Sequence, residues 1–195
     1  MIQLAMANQM KEDHEVSDDQ IVRYCAPTLA GIKTGSLFTL RNASEDFMSD
    51  ISAFNRTMRE KGVRIIPLRA CGNHMLIYLY RPEMLERDLK DPKAVNILKR
   101  FGYPVSSSDR CVVKLANRLS TSPVFPHEIG LFLGYPPTDV SGFINNPNEG
   151  YCAVGYWKVY SDVEGAKRIF KRYKQCTEEY GRMLRSGRTL EQIVV

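Results

Sequence analysis

Apolar residues recur every three or four positions at Phe47, Ile51, Phe54 and Met58, which predicts an amphipathic helix with one buried stripe. Ser44 stands at its N-cap, Glu45 and Asp46 occupy its first turn, and Gly62 supplies the stop. The period then changes. Val63 to Leu68 and Met75 to Arg81 read as two strands around the turn-like Ala70-Cys71-Gly72-Asn73, a connection too short for anything but an antiparallel pair. Upstream, Ser17 to Gln20 has the form of a capping box. It predicts a short helix through Ile21, Val22 and Tyr24 that ends before Pro27, followed by a glycine-punctuated loop to Gly35 and a short strand over Ser36 to Leu40.

The middle of the chain is helical. Pro82 opens a helix through Leu89, and Asp91-Pro92, an N-cap followed by proline, opens another to Phe101. Ser108 caps a helix with the stripe Val112, Leu115, Ala116 and Leu119. A short helix is predicted from about Pro126 to Leu133, stopped by Gly134-Tyr135-Pro136, and a second through Val140 and Phe143. Tyr151 to Tyr160, rich in Val, Tyr and Trp157, reads as a further strand. A capping box at Ser161 to Glu164 launches a long amphipathic helix to about Arg185, and Thr189 caps a last short turn. The expected fold is α+β: a small, mainly antiparallel sheet of three to four strands packed with several helices.

With 195 residues, 44% of them hydrophobic, the chain is long enough for one core and short for two. The expected organisation is a flexible segment over residues 1–16 and a single domain over 17–195. No apolar run approaches the roughly 20 residues of a membrane span, and Met1 to Met10 lacks the marks of a secretory signal. The five cysteines are odd in number and widely spaced, with no C-x-x-C, which suggests reduced thiols in a cytoplasm. The net charge of +5 permits an acidic partner without demanding one.

The densest chemistry lies in Phe125 to Ile144, which holds three glycines, three prolines and His127 among large apolar residues. A nucleophilic cysteine needs a nearby base or a helix N-terminus to become a thiolate. Cys25, ahead of a proline and a glycine-bearing loop, and His127, placed by Pro126, are the candidate catalytic pair. Glu128 or Asp139 would orient the imidazole and Lys33 would contact an anion. The plainer alternative makes Cys25 a small buried hydrophobe and the His-Glu pair a helix-start device. Tyr135 and Trp157 complete a candidate ligand-binding set with Lys33, Glu128 and Asp139. No metal site is expected, because His127-Glu128 lacks the second histidine of H-E-x-x-H, and the residues name no cofactor. Nucleotide-binding glycine motifs are absent, and Gly130, Gly134 and Gly142 suit close packing and helix stops better.

Two functions stay open: a thiol-dependent enzyme or small-ligand-binding domain, with its site between the Cys25–Lys33 loop and the His127–Asp139 block, or a non-catalytic interaction module. The module could bind protein, or nucleic acid through Lys167, Arg168, Lys171, Arg172, Lys174, Arg182, Arg185 and Arg188 around the last long helix. The sequence from His127 to Ile144, the strand Gly155 to Tyr160 and the segment Cys25 to Lys33 resemble an uncharacterised bacterial family of about 200 residues, common in anaerobic Gram-positive bacteria. The resemblance runs from about Tyr24 to the end of the last long helix and implies no reaction, cofactor or catalytic residue.

Overall fold

The computed structural model describes residues 17–41 and 46–195. The expected N-cap Ser44, the expected first-turn Glu45 and the segment before residue 17 lie outside the described residues. A three-stranded antiparallel sheet forms the centre, in the order β1–β3–β2, from β1 (Gly35–Arg41), β2 (Arg64–Cys71) and β3 (His74–Tyr80). β3 pairs on both sides, Gly35 opposite Tyr80 and Arg64 opposite Tyr80, with an irregularity between Pro67 and Arg69. Alternation along β3 divides the interior. Ile77 and Leu79 enter one apolar cluster, and Leu76, Tyr78 and Tyr80 enter another, as the two-residue strand period requires.

The first cluster is closed by α1 (Asp18–Leu29), α2 (Phe47–Met58), the long α8 (Val163–Arg185) and the short α9 (Leu190–Ile193). The second is closed by α3 (Pro82–Leu89), α4 (Pro92–Arg100), α5 (Ser108–Thr121), α6 (Ile129–Phe132) and α7 (Pro137–Asn145). The fold is therefore α+β, with helices on both faces of one small sheet. No described helix is long and apolar enough to cross a membrane.

The local chemistry explains most boundaries. Ser17 accepts from Gln20 N, Asp91 from Lys93 N and Ala94 N, and Thr189 from Gln192 N in a full capping box. Two caps sit one residue from their expected places, Ser107 for α5 and Asp162 for α8.

Three elements differ more. α1 does not end before Pro27 but runs through it to Leu29, so Cys25 lies in a helix. Proline removes one helical hydrogen bond, and the loop satisfies the carbonyls at the helix end: Pro27 O accepts from Ile32 N and Lys33 N, and Thr28 O accepts from Gly31 N. The expected helix from Pro126 is confined to the four residues of α6, because Pro126 to Glu128 form turns instead. The expected strand over Tyr151 to Tyr160 is a hairpin of two-residue strands, β4 (Ala153–Val154) and β5 (Lys158–Val159). It folds back at Gly155, whose N–H bonds Trp157 O and whose missing Cβ leaves room for the Phe170 ring.

A third, smaller cluster joins this hairpin to α8 through Trp157, Val159, Ala166 and Tyr173, with Ile32 and Tyr135 at its margin. Ile169, expected on the buried stripe of α8, is instead 37% exposed.

Candidate functional site

The block after α5 is held by tight turns that bring its side chains to two adjoining clefts. Gly134 has φ 74°, and a side chain there would collide with Thr34. Gly130 packs against Val140, and a Cβ on it would lie 2.8 Å from a Val140 methyl. These contacts press α6 onto α7 and dock the block against the loop between α1 and β1. The two segments singled out in the sequence therefore meet in space, though not through the residues expected to react.

Cys25 is fully buried in the first cluster among Ile21, Val22, Leu29 and Phe38. Burial pushes its thiol up to about 12, and the opposing influence of Lys33 does not offset this. A nucleophile needs the reverse shift and an open approach. His127 lies in a different setting, its ring edge-on to Phe143 at 4.9 Å and tilted against Phe125 at 6.3 Å. Burial lowers the imidazole below its ordinary value, against the pull of Glu128. Cys25 thus packs within the first cluster, while the His127 ring packs against Phe125 and Phe143.

Glu128 also belongs elsewhere. Its carboxylate is 1% exposed, pairs with Arg118 at 2.7 Å and accepts from the Tyr103 hydroxyl at 2.9 Å. Burial, then the Glu128 charge, raise the Tyr103 phenol well above its usual range, which keeps it a donor. Glu128 thus ties the start of α6 to α5. Arg118 was not visible as its partner, because ten residues and a turn separate them with no helical spacing to link the charges.

Asp139 is 3% exposed in the first turn of α7. Its Oδ2 accepts from Trp157 Nε1 at 2.8 Å, and its Oδ1 accepts from Tyr160 N at 2.9 Å and Ser161 Oγ at 2.8 Å. One carboxylate therefore fastens the β4–β5 hairpin to α7 and sets the plane of the indole. Trp157 in turn lies against Tyr135, with centroids 4.9 Å apart, and edge-on to Phe170 at 4.6 Å.

The result is an aromatic cleft walled by Phe125, His127, Tyr135, Phe143, Tyr156 and Trp157, with Val140 in its lining and Lys158 at one end. Its enclosed space is about 60 Å³, well below that of drug-sized ligand sites, which limits an occupant to a small, flat molecule. Phe143 and Tyr156 carry no other sequence signal than being aromatic, and Lys158 lies in a segment read as plain strand.

On the other side of Tyr135 is a more polar cleft, where Lys33 and Thr34 face Gly134, Pro136 and Asp88. The Thr34 hydroxyl donates to Asp88. Lys33 is 7% exposed. Its ammonium donates to Gly35 O at 2.6 Å and Ser36 Oγ at 3.3 Å and lies 5.6 Å from the Tyr135 ring centre. No described carboxylate pairs with it. Burial pulls the amine down from 10.5 to about 8, with Cys25 acting weakly the other way.

The unfolded chain therefore holds an extra proton between about pH 8 and 10.5, so stability from this group is present above that window and lost as pH falls through it. Lys33→Met is expected to gain about 2 kcal/mol relative to wild type at pH 7 compared with pH 10. Urea unfolding at the two pH values measures this, and a difference that does not change with pH would contradict it.

The basic residues of α8 are exposed, while Tyr173 and Tyr180 between them are buried, so that face offers charge without stacking platforms. No curated protein and no solved structure matches the chain. A model of the family described as "Protein of unknown function (DUF3793)" matches residues 21–194. The chain belongs to the DUF3793 family.

Proposed function

We propose that the protein is a small-ligand-binding domain and that the aromatic cleft is its site. The observation that carries this is the cleft's construction. Six ring-bearing side chains line one opening, and its walls are anchored from behind by Asp139 through Trp157, by Gly130 against Val140 and by Lys33 against Tyr135. A rigid apolar lining with few polar groups is the common form of a small-molecule site. Lys33, Asp139 and Glu128 position the walls, while His127, Tyr135, Phe143 and Trp157 present the contact surface. The buried, un-ionised Cys25 favours binding over thiol chemistry. The five cysteines, unpaired in the structure, suit a reducing compartment such as the cytoplasm. The exposed charge of α8 supports an acidic partner less specifically, since a charged helix face is ordinarily a solvated one.

Thermal denaturation with a panel of single-ring aromatic compounds tests the proposal. A compound at about ten times its Kd should raise Tm by about 3 to 6 °C, and Phe143→Ala should lose the response. Phe143 is only partly buried, so that variant keeps its fold. A panel that leaves Tm unchanged, or raises it equally in Phe143→Ala, overturns the proposal.

A further inference from the structure

The charges around the aromatic cleft say what kind of ligand it takes, granted that the cleft is a binding site. Its lining holds two charged side chains, Asp139 and Lys158. The Asp139 carboxylate is consumed by three donors from the hairpin and is nearly fully buried. It presents no free acceptor to an occupant. His127 is held toward its neutral form by burial.

Lys158 is different. Its ammonium donates to Pro147 O at 2.6 Å and lies 4.4 Å from the Tyr151 ring centre and 5.7 Å from that of Phe143. No described carboxylate pairs with it. An ammonium has three donors, and one bond to Pro147 leaves the others for a ligand.

Rings gathered around an opening often recognise a cation through their faces. In this protein the chain supplies that cation itself, since Lys158 already lies by the rings of Phe143 and Tyr151. The remaining complement is an anion.

We propose that the cleft takes a planar aromatic carboxylate of a single ring, its ring between the His127–Phe143 wall and the Tyr135–Trp157 wall and its carboxylate on Lys158. Phe143 stands at the junction, touching both His127 and the ammonium, so ring and charge are read together.

The test compares benzoate with its neutral isostere benzamide by calorimetry at low salt. Wild type should bind the acid about fivefold more tightly than the amide, and the preference should shrink as salt is added. Lys158→Met should erase the preference, leaving acid and amide bound alike, and Lys158→Arg should keep it. Equal binding of acid and amide by wild type overturns the anion assignment and leaves the cleft as a site for neutral rings. Failure of both compounds to bind overturns the cleft itself, and with it this assignment.

Discussion

Arg118→Met is expected to destabilise the protein by about 3 to 5 kcal/mol, measured as a shift of the urea unfolding midpoint. The substitution removes the one cation beside a carboxylate that is 1% exposed and leaves Glu128 with the Tyr103 hydroxyl alone. A buried charge without its partner costs far more than the pair contributes when intact. Much of the loss should therefore return when the charge is also removed. The double variant Arg118→Met with Glu128→Gln is expected to recover about half of it. Equal loss in single and double variants would mean that Arg118 acts through its packing over Phe101 and Tyr103 and not through charge. Because Glu128 starts α6, the same substitution should loosen the turn that carries His127.

Asp139→Asn is expected to cost about 2 to 3 kcal/mol and to free the Trp157 indole. An amide can still accept from Tyr160 N and Ser161 Oγ with its oxygen. It then turns an NH₂ toward Trp157 Nε1, where two donors face each other across the former 2.8 Å bond. Trp157→Phe removes the donor instead and should cost less, since no buried group is left unpaired on the indole side. Adding Asp139→Asn to Trp157→Phe should then cost about 1 kcal/mol less than Asp139→Asn alone, the coupling a double-mutant cycle reads. Strictly additive losses would show that Asp139 holds the hairpin without holding the indole. The cycle matters for function because the Tyr135–Trp157 wall of the cleft depends on this one carboxylate.

Much of the framework was legible in local chemistry. The capping residues Ser17, Asp91 and Thr189 and the glycine stops after α4 and α6 each act over a few residues, so the sequence displays them directly. The site was legible only in part. Of the candidate set Lys33, Glu128, Tyr135, Asp139 and Trp157, the last three are joined by a hydrogen bond and a ring contact, while Glu128 pairs with Arg118.

What could not be read depends on distant partners. Glu128 resembles a ligand contact until Arg118 is found beside it, and Cys25 resembles a loop thiol until α1 continues through Pro27. In both cases the deciding group approaches through the tertiary fold. The Tyr151–Tyr160 segment misleads for a related reason. Its β-favouring residues suit a strand, but Gly155 must admit the Phe170 ring from α8, and the chain doubles back there. Lys33 is the sharpest case: the sequence suggests an anion contact, yet its ammonium is buried against the Gly35 carbonyl, the Ser36 hydroxyl and the Tyr135 ring, with a lowered pKa.

The claim that a ligand lies between the His127–Phe143 and Tyr135–Trp157 walls has a built-in reporter, since Trp157 is the only tryptophan in the chain. Its indole N–H gives one resonance in a nitrogen–proton NMR spectrum, and the decisive measurement is a titration of that signal with benzamide. The account predicts a saturable shift of the Trp157 resonance in wild type and little movement in Phe143→Ala. A Trp157 signal that stays still while backbone signals elsewhere respond would contradict it and place ligand binding outside the cleft.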